Sequence, residues 1–168
     1  HYGRENVVIY APVHTRDMVG TYDGMKILPG LTYDYGEDMI LSHCQNEDID
    51  FVLQIGDWFM LRGLPELAMI DKVLWIEWTC YDFAHCPDSI VQNTVRFAWH
   101  VVPWTKYSER RFLEHKLANL TEPIPLGVDT NIWQPLDRRT LPKVMNSLGF
   151  TENSYNVLIM GANQRRKY

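Results

Sequence analysis

Ile49-Asp50-Phe51-Val52-Leu53-Gln54-Ile55 is a short apolar run closed by Gly56-Asp57-Trp58, and its reading decides the fold. A continuous apolar run of this length reads as a strand buried on both faces, the signature of a parallel sheet. The pattern recurs at Asn6-Val7-Val8-Ile9-Tyr10, Met25-Lys26-Ile27-Leu28 and Lys72-Val73-Leu74-Trp75-Ile76. It recurs again at Trp99-His100-Val101-Val102 and at Tyr155-Asn156-Val157-Leu158-Ile159-Met160. Helical patterns lie between the runs. From Glu37 to Gln45, Met39, Ile40, His43 and Cys44 share one face. Pro87-Asp88-Ser89 opens a second helix. Tyr107 to Leu117 is amphipathic, with Ser108 or Thr105 as its N-cap. Arg138 to Leu148 ends at Gly149, the expected left-handed position.

Strands alternating with helices imply βαβ units, and so an α/β, Rossmann-like parallel sheet with helices on both faces. Pro123, Pro125, Gly127 and Pro135 crowd one stretch, as a link between two bodies does. The expected organisation is one α/β domain over residues 1–122, then over 123–168 a hinge and the start of a second Rossmann-like domain. The chain carries no initiator Met and stops soon after an apolar run, so a fragment cut at both ends is expected.

Composition narrows the function classes. Of 168 residues, 46% are hydrophobic and 22% charged, a globular balance rather than a disordered or collagenous one. The net charge of -5 lacks the basic excess of a nucleic-acid binder. No apolar run reaches the roughly 20 residues of a membrane span, and no signal-peptide pattern opens the sequence. A cytoplasmic protein is expected. Cys44, Cys80 and Cys86, without a CxxC pair, suit reduced thiols. Cys80, His85 and Cys86 match no zinc spacing of paired ligands, so no metal is expected. Aromatics at 12%, six of them Trp, suit a pocketed enzyme or a large interface.

Ligands of open parallel sheets bind beyond the carboxyl ends of the strands. The residues following each run therefore include Asp57 and Trp58, the stretch Glu77 to Pro87, and Gly161 to Lys167. Glu77 and Asp82 would make a glycosidase-like carboxylate pair if they converged in one cleft, and His85 has the chemistry of a general base. Arg165-Arg166-Lys167 after a strand would hold a phosphate. The GxGxxG, P-loop and GxSxG fingerprints are absent, which removes support for dehydrogenase and serine-hydrolase readings.

Several segments together resemble family 4 of the GT-B fold glycosyltransferases. Glu122-Pro123-Ile124-Pro125-Leu126-Gly127-Val128-Asp129-Thr130-Asn131-Ile132-Trp133-Gln134-Pro135 is similar to that family's interdomain segment, "vPhGVDtevFrP". Thr21-Tyr22-Asp23-Gly24-Met25-Lys26-Ile27-Leu28-Pro29 resembles its "YnGi-vlP". Tyr35 to Ile40, His43, Asp50-Phe51-Val52 and Asp57-Trp58 are similar to its "YGnDvi--H----aDlvitl-D-W". Asn156 to Lys167 resembles the strand and "N--RK" turn that open the second domain.

The resemblance implies transfer of a sugar from a nucleotide-diphosphate donor to an acceptor hydroxyl, with retention and without a cofactor or metal. Arg166 and Lys167, with Arg165 as the alternative to Arg166, would contact the donor diphosphate. Gly127, Val128 and Asp129 would form the hinge beside the cleft. Asp57, Trp58 and Tyr81 would face the acceptor, a carbohydrate, lipid or protein, and Asp82 with His85 would stand at the reacting centre. Leu126 replaces the family's usual His, and Tyr81-Asp82-Phe83 replaces its "DhDP" loop. The missing partner would be the C-terminal GT-B domain, so these residues alone are expected to transfer no sugar. The rival reading is a non-catalytic Rossmann-like module for binding or assembly, its aromatics serving an interface.

Overall fold

The computed structural model describes residues 3–11, 18–30, 35, 37, 39–61, 63–83, 85–135, 137 and 139–151. The chain divides into two compact units, His1–Leu126 and Gly127–Tyr168. The first is mixed α/β, with strands β1 (Val8–Tyr10), β2 (Gly20–Tyr22), β3 (Met25–Leu28), β4 (Phe51–Asp57), β5 (Leu74–Cys80) and β6 (His100–Pro103). Its helices are α1 (Ile40–Asn46), α2 (Leu64–Ile70), α3 (Asp88–Val95) and α4 (Lys106–Glu114). The second unit contains α5 (Leu141–Ser147). The expected strand at 155–160 lies outside the described residues.

The strands form two sheets rather than one. β4, β5 and β6 are parallel in sequence order, joined through α2 and α3, which is the βαβ arrangement that the alternating runs imply. The other sheet is mixed, with β1 parallel to β3 and β2 antiparallel to it. β2 escapes the sequence pattern because only three residues pair. Its signal was the turn: Asp23 and Gly24 separate the register partners Tyr22 and Met25 and both have positive φ, 49° and 82°. That is the chemistry of a two-residue hairpin turn. Gly24→Val forces a β-branched side chain into the left-handed region. It is expected to cost about 1–2 kcal/mol in urea unfolding, while Gly24→Asn costs less; equal losses would show that the turn does not need the left-handed conformation.

Helix α2 also went unread. Its apolar run is short, yet Pro65 in the first turn after Gly63 at the N-cap marks a helix start. Thr105, not Ser108, caps α4, accepting from the Ser108 N–H at 3.0 Å. In the second unit, α5 closes through Gly149 (φ 78°), with the Phe150 N–H donating to Met145 O at 2.9 Å.

The core lies on one face of β4–β5–β6. Trp58, Trp75, Val91, Val95, Val101 and Phe112 pack there with Leu64 and Ala68 of α2 and Ile40 and Cys44 of α1. Burial on both faces is not what the structure shows. Phe51, Leu53, Ile55 and Leu74, on the opposite face, are 43–58% exposed. A chain segment, Asn119 to Ile124, runs along the outer edge of β6, with hydrogen bonds from Val101 N–H to Asn119 O and from Ile124 N–H to Pro103 O, each 2.9 Å.

Candidate functional site

Parallel register does what sequence distance cannot. Asp57 ends β4 and Cys80 ends β5, and the two are register partners. Asp82 follows Cys80, so that one ligand-type atom from each of Asp57, Cys80 and Asp82 lies within 4.8 Å of the others. This cluster stands beyond the carboxyl ends of two parallel strands, where such sheets take ligands. Asp57 and Cys80 are half-buried and Asp82 is exposed.

The Cys80 thiol donates to Asp57 Oδ1 at 3.4 Å. Burial first, then that hydrogen bond and the negative charge of Asp57 and Asp82, push the thiol up to about 12. These surroundings hold the thiol in its protonated form. Among the described residues, the group formed by Cys80 contains Asp57 and Asp82, not His85 and Cys86.

Beneath the cluster sits an aromatic layer. Trp58 and Tyr81 are each 1% exposed. Their rings stack with centroids 6.1 Å apart, and Phe59 and Phe83 pack edge-on against Trp58 at 5.8 and 5.9 Å. Phe112 of α4 meets Tyr81 edge-on at 5.2 Å. Trp58 and Tyr81, expected to face an acceptor, are therefore core side chains; any effect they have on a ligand passes through the loops they anchor. Phe83, 39% exposed, is the most exposed aromatic of this group.

Tyr81 is clamped by residues that no pattern along the chain associates. Its N–H donates to Ser108 Oγ at 3.0 Å, and its hydroxyl is 3.0 Å from His115 Nε2. His115 Nδ1 lies 2.7 Å from Asp88 Oδ1, and the Gln92 side chain donates to the His115 carbonyl. The loop after β5 is thus fixed to α3 and to both ends of α4. His115 is buried while the Asp88 side chain is 78% exposed. Nothing in the spacing of Tyr81, Asp88 and His115 announces this network, because its members are brought together by packing alone.

Glu77 is not a loop acid. β5 runs through to Cys80, and Glu77 points to the covered face, fully buried, whereas Asp82 is exposed beyond the strand end. The carboxylate-pair hydrolase loses its geometric premise. His85 is exposed and is not part of the Asp57 cluster.

In the second unit Gly127, Val128 and Asp129 are exposed. Asp129 Oδ1 accepts from the Asn131 N–H at 2.8 Å, and its carbonyl accepts from Trp133 at 2.8 Å, so it caps the turn that follows. Gly127 has no positive φ, and a Cβ there would meet nothing within 4 Å, so no local crowding requires glycine. Arg165, Arg166 and Lys167 lie outside the described residues. Among the described residues, no helix is long and apolar enough to cross a membrane. Compared with known proteins, the chain matches no family model, and no curated protein matches it.

Proposed function

We propose that the chain is the acceptor-side part of a nucleotide-sugar-dependent glycosyltransferase of the GT-B type, completed by a second βα domain that binds the donor. The observation that carries the reading is the Asp57–Asp82 carboxylate cluster at the carboxyl ends of β4 and β5. The GVD segment and the Arg-Arg-Lys turn support it as sequence resemblances. The exposed carboxylate of Asp82 and the half-buried one of Asp57, with Phe83 next along the chain, suit an acceptor rich in hydroxyls: the oxygens accept from hydroxyl groups, and the ring offers an apolar face.

The chemistry follows from charge. As the sugar leaves its diphosphate, negative charge develops on the phosphate oxygens. The guanidinium and ammonium of Arg166 and Lys167, with Arg165 as the alternative to Arg166, would stabilise it. Asp57 and Asp82 would orient the attacking hydroxyl. Closure of the two domains would exclude water and favour transfer over hydrolysis.

The test is calorimetric titration with UDP- and GDP-sugars of a longer chain that carries the donor domain. Arg166→Ala with Lys167→Ala is expected to weaken binding by about tenfold or more, two charge-assisted contacts being lost. Unchanged affinity would end the phosphate assignment. The exposed apolar face of Phe51, Leu53, Ile55 and Leu74 favours the second reading, an assembly module. If the segment following Tyr168 in the gene encodes no βα domain, that reading is preferred.

A further inference from the structure

Gln54 of β4 and Glu77 of β5 are register partners on the covered face of the sheet, and both are buried. Glu77 Oε1 accepts from the Trp75 indole N–H at 3.0 Å, but Glu77 Oε2 has no partner among the described residues. Gln54 Nε2 points at the Asp57 carbonyl, 3.4 Å away, and among the described residues Gln54 Oε1 has no partner either. Two buried acceptors on one rung, each without a donor, are an arrangement that folded proteins rarely tolerate. Turning the Gln54 amide over would give Glu77 Oε2 a donor but set the amide oxygen against the Asp57 carbonyl. The Asp57 carbonyl can only accept, so the orientation with the amide nitrogen facing it is the one that avoids two opposed oxygens. A proton on Glu77 Oε2, directed at Gln54 Oε1, would fill both gaps.

We propose that Glu77 is held as a neutral carboxylic acid whose Oε2–H donates to Gln54 Oε1, and that the pair positions the Asp57 end of β4. The result is a continuous donor-to-acceptor chain from Trp75 through Glu77 and Gln54 to the Asp57 carbonyl, each link polarising the next. Loss of the proton would set a carboxylate against an amide oxygen and release the Asp57 peptide from the rung. Glu77 is thus a positioning residue for the carboxylate cluster, whatever that cluster binds. The proposal does not rest on the glycosyltransferase reading.

The surroundings fit a neutral acid. Burial pushes Glu77 up to about 8, opposed only by the Trp75 hydrogen bond, with no neighbouring charge contributing. From the elements packed on this face, α1 presents Ile40 and Cys44, α2 Leu64, Pro65 and Ala68, α3 Val91, Thr94 and Val95, and α4 Ser108 and Phe112. β6 places Val101 on the same rung as Glu77. The buried titratable groups are Cys44, itself pushed up by burial and then by Asp71, together with Tyr81 and His115. Among the described residues, none of these groups is hydrogen-bonded or ion-paired to Glu77. Trp58 Nε1, a further buried donor without a partner, belongs to the turn after β4 and not to the rung.

The experiment is NMR on the chain labelled with 13C at glutamate carboxyls and with 15N, from about pH 4 to about pH 9, which spans the ordinary and shifted ranges of a carboxyl group. Glu77, assigned through bonds in the unmutated chain, is expected to titrate near 8. The Trp58 amide nitrogen, which shares the Asp57 peptide group, is expected to move with the same midpoint. Glu77→Gln keeps both a donor and an acceptor on the rung, so it should fold and hold the Trp58 signal at its low-pH position throughout. A Glu77 midpoint below about 5, in the ordinary carboxylate range, overturns the proposal. So does a Trp58 signal indifferent to Glu77, or one still titrating in Glu77→Gln.

Discussion

Tyr81→Ala is expected to lower the unfolding free energy by about 3–5 kcal/mol, the range for deleting a buried aromatic side chain. The ring is 1% exposed, stacks on Trp58 and on His115 at 5.5 Å, and meets Phe112 edge-on. Truncation leaves a cavity that three rigid neighbours cannot collapse into, and it strips His115 Nε2 of its hydroxyl partner. Tyr81→Phe separates the two effects. It keeps the packing and removes only the hydroxyl, at an expected cost of about 1–2 kcal/mol. Urea unfolding at one pH measures both. If Ala costs no more than Phe, the ring is not packed as described and the loop after β5 is not anchored through it.

Stability is expected to fall as the solution is made alkaline. Glu77 is raised in the folded chain to about 8 from 4.5. The folded state therefore holds a proton that the unfolded state has already released between these values. Its contribution is fully present below about 4.5 and is lost as pH rises towards 8. The slope is about 1.4 kcal/mol per pH unit within that window. Cys80, raised to about 12 from 9.0, acts in the same direction at higher pH, its effect reduced because the thiol is partly exposed to solvent screening. Urea midpoints between pH 5 and 8, with Glu77→Gln as the reference, isolate the Glu77 share. A stability that does not fall relative to the variant over this window would contradict the assignment of a raised Glu77.

The βαβ core was legible because parallel strands are apolar along their whole length, so that runs such as Ile49–Ile55 stand out without alternation. The same logic failed at the far end of β5. Glu77 and Thr79 broke the apolar run and read as loop, although both are buried in the strand. A polar residue in a strand interior is invisible as such until its neighbours are known. Trp58 and Tyr81 failed for a related reason: an aromatic just after a strand serves a ligand or a core equally well, and only packing distinguishes them.

The sequence by itself determined the order of the strands β4 to β6, the helix between β5 and β6, and the Pro- and Gly-rich stretch from Pro123 to Pro135. These are properties of local pattern, written within a few residues. The tertiary structure alone decided which side chains meet. Asp57 and Cys80 are brought side by side by parallel register, and Tyr81, Asp88 and His115 by the docking of α3 and α4. It also decided that one face of β4 and β5 is covered while Leu53 and Ile55 remain exposed. An apolar side chain carries the tendency to leave water but not the identity of its neighbour, and that identity is fixed only when the whole chain packs.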